Sequence, residues 1–467
     1  MSPPSNQSNL KKSLTLPQTF GIALQQIIGG GVIALTGVAI GKTGGGAPVA
    51  FLLAAGLVLL SGISFAVLGA AAPVVGGTYT YVTRLVHPIA GFANMWLFSL
   101  SVISLSVYAL TAGDYLHALN NAIPAHLVSI GIITFFFICN LFGASLSARI
   151  GVVLSVVMVA AFLSYAVISM PEVDWATFRE LTPNGFNNLM SASAIMVFAI
   201  GGGHVIAELG GEMKNPGRAI PIAFFGATFT ATLLYVVMAI PSTGVLPIDE
   251  VAFKPLSVVA EYTMSKGMFV FFILGGAVAA VIGTVNAQLI WGSKSLLAAI
   301  DDGWFPKALG KVNRRFGTPH WLLTILFVIG ITPAVTGLSV SEIAHVASSV
   351  FGLTTMLVIV ASYRMRSLYP ELLARSPFKL SRQLHLVITV AAMLLNAYQN
   401  VLLLVEITQK PVMGVSYAIW VTIGIVIILL RWGKVRELIA SGAVPSGQPM
   451  VRKDGRDLIE QPAESAS

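Results

Sequence analysis

Charge is scarce in this sequence: Asp, Glu, Lys and Arg supply 10% of its 467 residues, while apolar residues reach 56%. So few ionised groups cannot cover a water-soluble fold of this length, so lipid is the solvent for most of the chain. Cysteine is nearly missing. The single Cys139 excludes a disulfide framework and a thiolate metal site, and its apolar surroundings read as those of a small buried residue. A complete Gly-rich phosphate loop with Lys is missing too, which excludes an ATP-driven pump of that kind. His87, His117, His126, His204, His320, His345 and His385 are dispersed, with no metal-ligand spacing on one helix. No acidic residue lies at the centre of an apolar run, so a membrane enzyme has no catalytic cluster here, and neither a metal nor a cofactor is expected.

What is present is length and apolar repetition. A hydrocarbon core of about 30 Å needs roughly 20 helical residues per crossing. Apolar windows fall at approximately 17–41, 47–71, 88–116, 125–143, 150–170, 188–210, 219–241, 267–298, 320–337, 343–362, 383–406 and 412–432. Residues 1–16 read as a polar N-terminal tail and 435–467 as a mobile C-terminal one, the latter too poor in apolar residues to bury a core. The transporter-sized domain between them is 17–434. The formal charge of +8 would suit a nucleic-acid partner only if it were clustered, but it follows the membrane instead. With the N-terminus inside, the cytoplasmic segments collect Lys11, Lys12, Arg84, Arg149, Lys294, Arg364 and Arg431 among others. The opposite side keeps Lys42, Arg179, Lys254, Lys266 and Lys410. That asymmetry places both termini in the cytoplasm and calls for an even number of crossings.

Two segments resemble each other: Ile27-Ile28-Gly29-Gly30-Gly31-Val32 in the first window and Ala199-Ile200-Gly201-Gly202-Gly203-His204 in the sixth. Five crossings separate them, so they enter the bilayer from opposite sides. Inverted repeats of five helices, each opening with a Gly-interrupted helix, point to a secondary transporter with its site at the midplane. The repeats would span about 17–170 and 188–362, leaving two peripheral helices at about 383–432. Close helix packing is the other use of such glycines. Consecutive glycines each cost roughly 1 kcal/mol relative to alanine in a helix, and lipid offers no partner to the amides and carbonyls that a break sets free. A zwitterion does: half-helix N–H groups suit a carboxylate, and freed carbonyls suit an ammonium. On this logic Ile27, Gly29, Gly30 and Gly31 face a substrate from one helix and Ile200, Gly201 and Gly202 from the other.

Phe198-Ala-Ile-Gly-Gly-Gly-His204, Glu212-Met-Lys-Asn-Pro-Gly-Arg-Ala-Ile-Pro221, Asp301-Asp-Gly-Trp-Phe-Pro306 and Val312-Asn-Arg-Arg-Phe-Gly-Thr-Pro319 follow in order behind Ile28-Gly-Gly-Gly-Val-Ile33. Over nearly the whole chain this resembles the amino acid/polyamine/organocation (APC) superfamily of permeases. The resemblance implies an all-α membrane fold of ten core helices in two inverted repeats, with discontinuous helices 1 and 6, plus two peripheral helices. It also implies alternating access in the plasma membrane, the inner membrane if bacterial, and amino acids or related amines as substrates. A small neutral amino acid, carried by proton symport or by exchange, is the first expectation; a polyamine or other organic amine is the alternative, and a channel a remote one.

Several positions depart from the family pattern. His204 stands where many relatives carry an acidic residue; proton coupling, gating, a static polar lining or packing are all open to it. Met158 replaces a Lys that some relatives place at a sodium position, and packing is its expected role. Gln288, where the arginine/agmatine exchangers carry an aromatic, either faces the cavity or hydrogen-bonds a neighbouring helix, and Asn286 shares its problem. Gln25 and Gln26 cannot both face lipid cheaply, so one turns inward. Phe198 resembles an aromatic gate, with core packing as its other reading. Glu208 is expected to be solvated or paired with a cytoplasmic Arg. Tyr79, Tyr81 and Arg84 suit an inner gate, with interfacial anchoring as the other reading of the two tyrosines, and Asp301, Asp302 and Arg314 suit a loop organiser.

Overall fold

The computed structural model describes residues 14–74, 76–142, 147–210, 213–313, 316 and 318–447; within its helices the burial of residue 30 and the side chains of residues 147–155, 282, 286, 287, 290 and 294 fall outside that description. Lys11, Lys12, Glu212, Arg314 and the side chains of Arg149, Asn286 and Lys294 thus lie outside the described residues, as does the C-terminal segment beyond 447.

The chain is helical almost throughout. It opens with α1 (Leu16–Ile27), α2 (Gly30–Thr43), α3 (Ala47–Ala71), the short α4 (Gly77–Leu85), α5 (Pro88–Leu100), α6 (Ser104–Leu119) and α7 (Ala125–Leu141). It continues through α8 (Ser147–Ser169), α9 (Phe186–Ile200), α10 (Pro216–Gly244), α11 (Ile248–Val251), α12 (Ser257–Thr263) and α13 (Lys266–Phe271). The last part holds α14 (Ala279–Asp301), α15 (His320–Thr336), α16 (Val340–Leu368), α17 (Pro370–Arg375), α18 (Arg382–Thr408) and α19 (Pro411–Ala440). Among the described residues the β component is one parallel bridge between Leu14 and Met213. Proline opens many of these helices: Pro17, Pro48, Pro88, Pro216, Pro370 and Pro411 sit in first turns, where the missing N–H would have had no helical acceptor. Ser339 and Glu342 form a reciprocal capping box at the start of α16.

Among the described residues, eight stretches are long and apolar enough to cross a membrane, the first being the 56-residue Leu16–Ala71 that contains α1 to α3. Ala125–Leu141, Val156–Glu172 and His320–Thr336 are shorter apolar helices. The window at 267–298 is not a plain helix: α13 runs through a π-helical turn at Phe272–Val278 into α14.

α3 packs against α9 and α10, α2 against α9, α1 against α10, and α16 against α18. Ile27, Ile28, Ala199 and Ile200, the residues flanking the Gly runs, sit in the largest apolar cluster, as does buried Met158, which packs there as expected. The outside of the bundle is equally apolar. On α19, Leu429 and Leu430 are 76% and 77% exposed; in water each such leucine would forgo about 1.5–3 kcal/mol of burial, and in lipid it forgoes almost nothing. α19 docks on α5 through stacked Trp96 and Trp420 (4.4 Å between ring centroids), whose indole N–H groups each donate to the other's carbonyl at 2.9 and 3.0 Å.

Two expectations need correction here. Cys139 is exposed, not buried: α7 fully buries only Ser129, Ile133 and Asn140, and Cys139 lies among its exposed residues with Phe135 and Ile138. Apolar surroundings in sequence mark a core only where the solvent is water. The C-terminal part is also not a tail from Val435, because α19 runs on to Ala440 and Val435 is buried with Trp304. Beyond it, Pro445–Gly447 forms a 3-10 turn.

Candidate functional site at two helix breaks

The first Gly run breaks a helix. α1 stops at Ile27, Ile28 leaves helical geometry (φ −77°, ψ 67°), Gly29 is extended (φ −104°, ψ −163°), and Gly30 opens α2. The Ile27 carbonyl, released from the helical ladder, accepts the Gly29 N–H at 2.7 Å and the Tyr235 hydroxyl of α10 at 2.6 Å. A neighbouring helix thereby supplies what lipid cannot.

The second run breaks another. α9 ends at Ile200, and Gly201–Glu208 continue as a 3-10 helix of eight residues, well beyond the usual run of about 3–4. The two breaks touch. A Cβ on Gly202 would collide with the Gln26 carbonyl oxygen and lie 2.7 Å from its carbon and 3.0 Å from the Ile27 nitrogen. A Cβ on Gly31 would come within 3.0 Å of the Ala199 Cα, and one on Gly201 within 3.1 Å of the Phe351 ring. One on Gly29 would strike the Thr284 hydroxyl of α14. In this conformation the glycines are used for close approach, of backbone against backbone at Gly31 and Gly202 and of backbone against a neighbouring side chain at Gly29 and Gly201.

Of the other residues named from sequence, Ile27 and Ile200 are buried beside the breaks, and Phe198 stacks on Tyr108 of α6 at 5.8 Å. Gln25 packs against Gly283 of α14, where a Cβ would lie 2.9 Å from its amide carbon. Gln26 is buried, and its Oε1 has no hydrogen-bond partner among the described residues. Gln288 donates to Ser104 Oγ at 2.7 Å and to the Ser101 carbonyl at 3.3 Å, tying α14 to the start of α6; its Oε1 has no partner among the described residues.

His204 lies inside the 3-10 segment, buried among aromatic rings: Phe65 of α3, Phe98 of α5, Trp291 of α14 and Phe351 of α16 stand 4.8–6.1 Å from it between centroids. Its Nδ1 donates to the Gly201 carbonyl at 2.6 Å. In a neutral ring Nε2 is then the acceptor nitrogen, and among the described residues neither it nor the nearby Trp291 Nε1 donor has a partner. A cavity of about 10 Å³ touches His204, Ser61, Phe65 and Phe351, space for roughly one water.

Glu208, at the far end of the 3-10 segment, is fully buried, not solvated. Its carboxylate accepts the Thr78 N–H at 3.0 Å, the Thr78 hydroxyl at 2.6 Å and the Ser295 hydroxyl at 3.1 Å, bridging α4 and α14. Tyr79 and Tyr81 are buried as well, which removes the interfacial-anchor reading. Tyr79 donates to Asp302 at 2.6 Å; Asp302 also accepts the Ser446 N–H at 3.1 Å and the Ser446 hydroxyl, while Arg84 donates to the Pro445 carbonyl at 2.8 Å. The C-terminal turn is thus strapped across the ends of α4 and α14. Among the described residues, no group of three or more His, Cys, Asp or Glu side chains could hold a metal ion.

Sequence reasoning missed Tyr235, Thr284, Trp291 and Phe351. The available signal was the Tyr235 hydroxyl within an apolar run, a polar tip that must find a partner.

Residues 19–440 match the family model described as amino acid permease. The chain is 25% identical over 346 residues to a branched-chain amino acid permease of Bacillus subtilis, covering 68% of this chain and 73% of that one. It is 26% identical over 347 residues to a chloroplastic cationic amino acid transporter of Arabidopsis thaliana, covering 67% of this chain and 60% of the relative. A methylthioribose transporter of Bacillus subtilis is 22% identical over 407 residues, 81% of this chain and 87% of the relative.

Proposed function

The chain belongs to the amino acid permease family, and from that premise we propose that it is a secondary active transporter moving small or neutral amino acids across the plasma membrane by alternating access. It is a multi-pass membrane protein of a transporter family, not of an enzyme family. In the proposed architecture the 56-residue first stretch crosses twice, and the remaining long spans and three shorter helices bring the crossings to twelve. The two broken helices head inverted repeats, and both termini are cytoplasmic.

The contact of Gly202 with the Gln26–Ile27 backbone carries the reading. Two breaks that meet in the closed conformation are separated when either side opens, and separation exposes polar backbone. The first-turn N–H groups of α2, beginning at Gly30, have no helical acceptors and suit a substrate carboxylate. The last carbonyls of α9, at the negative end of its dipole, suit the ammonium. Ile27, Gly29, Gly30, Gly31, Ile200, Gly201 and Gly202 are the proposed contacts, with Phe198 and Gln288 beside them and Gln25 and His204 as gating positions. Phe98, Trp291 and Phe351 give the neighbourhood an apolar character, and the similarity to a branched-chain amino acid permease supports an apolar side chain. The test is Gly30→Phe: uptake into proteoliposomes is expected to vanish while the protein stays monodisperse, and preserved transport would remove the site assignment.

A further inference from the structure

We propose that Glu406, His345 and Lys42 form a proton-binding latch that closes the outer path to the two breaks only while it holds a proton. Its outer placement rests on the functional reading above; its chemistry does not. Glu406, on α18, gathers three other helices. Lys42 Nζ, at the end of α2, lies 2.9 and 2.8 Å from its two carboxylate oxygens. Ser191 of α9 donates its hydroxyl to Oε1, and His345 Nε2 of α16 lies 2.5 Å from Oε2. α2 follows the first break and α9 precedes the second, so one carboxylate holds both half-helices against α16 and α18.

The proton count follows from donors and acceptors. His345 Nδ1 is 2.6 Å from the Ser341 carbonyl oxygen, which can only accept. Nε2 faces a carboxylate, so both ring nitrogens are presented to acceptors. A neutral imidazole carries one N–H. With His345 neutral and Glu406 ionised, one of these short contacts has no hydrogen. One added proton, on the imidazole or shared with the carboxylate, satisfies both. The closed latch therefore holds a proton that the parted helices need not hold.

The surrounding charges fit this. Lys42 offsets Glu406, and Glu342, one turn before His345 on α16, pairs with Lys410 at 3.1 Å. α9 carries no charged residue; α11, packed on α2, brings Asp249 and Glu250, and Lys254 follows it. A cavity of about 220 Å³ bordered by Lys42, Ser341, His345, Glu406 and Lys410 opens beside the pair. It has room for several waters, and a hydrated proton reaching Nε2 through it converts the lone pair to the second N–H.

The test reads opening without any transported substrate. Ser348, one turn below His345 and buried, donates to the Ile195 carbonyl at 3.4 Å behind the latch. In full-length protein carrying Cys139→Ser and Ser348→Cys, reconstituted in proteoliposomes, reaction with a membrane-impermeant maleimide is followed between about pH 5 and 8, where histidine titrates. After correction for the thiol's own ionisation, the rate should climb with pH by up to about tenfold per unit, the limit for one linked proton. His345→Gln should flatten the profile, Glu406→Gln should react fast at every pH, and His126→Gln, exposed on α7, should keep the wild-type slope. A flat profile with His345 present, or an intact slope in His345→Gln, overturns the proposal. Should Glu406→Gln misfold, His345→Gln still decides. Reaction only in permeabilised vesicles would overturn the topology instead, and the pH profile taken there would still judge the latch; no reaction under either condition overturns its opening.

Discussion

Removing one hydroxyl tests whether the first break is held by its neighbour. Tyr235 is fully buried, and its hydroxyl donates to the Ile27 carbonyl at 2.6 Å. In Tyr235→Phe that oxygen is not orphaned, because the Gly29 N–H still reaches it at 2.7 Å. The expected loss is one hydrogen bond, about 0.5–1.5 kcal/mol, and not the larger penalty of a stranded polar group. If the bond is made in the closed conformation only, that energy shifts the closed-to-open ratio by roughly 2- to 12-fold. Thermal unfolding in detergent and initial uptake in proteoliposomes measure the two effects. Tyr262→Phe, whose residue is 66% exposed, serves as the control. A Tyr235→Phe protein indistinguishable from that control in both assays would refute the idea that α10 satisfies the break.

Gly202→Ala should lower stability by about 1–3 kcal/mol through overpacking against backbone that cannot rotate away, whereas Gly131→Ala, with nothing within 4 Å of its Cβ, should be neutral or slightly stabilising; equal unfolding midpoints would contradict the contact between breaks. Glu208→Ala strands the Thr78 N–H, and its unfolding midpoint should fall by more than that of Tyr235→Phe. Burial holds the Asp302 carboxyl above its ordinary range, against the opposing effects of Ser446, Tyr79 and Arg84. An acid raised on folding contributes stability at low pH that fades as pH climbs from the ordinary aspartate range through the raised one. Asp302→Asn should therefore lose part of the wild-type decline in unfolding midpoint over that window, and an unchanged slope would contradict it.

The breaks were legible because three consecutive glycines are costly in a helix and conspicuous in sequence. Even so, a Gly run is not a site by itself: Gly44–Gly46 form a short 3-10 turn instead. What closes around the breaks was not legible. Tyr235, Thr284 and Phe351 arrive from helices far along the chain, and helices that are apolar all round carry no stripe to say which side faces the core. The same ambiguity misplaced Cys139, whose neighbours are apolar because they meet lipid. Glu208 looked like a helix end leaving the membrane; only the fold brings Thr78 and Ser295 to it. The Lys42–Glu406–His345 cluster joins helices that sequence spacing could not connect.

Counterflow tests the carrier site at the two breaks most directly. Proteoliposomes holding the full-length protein are preloaded with one unlabelled amino acid at a time and challenged with the labelled form outside. Accelerated exchange is expected for at least one small or apolar neutral amino acid, abolished in Gly30→Phe; flux without acceleration by internal substrate, or exchange that survives Gly30→Phe, would contradict a carrier whose site lies at the two breaks.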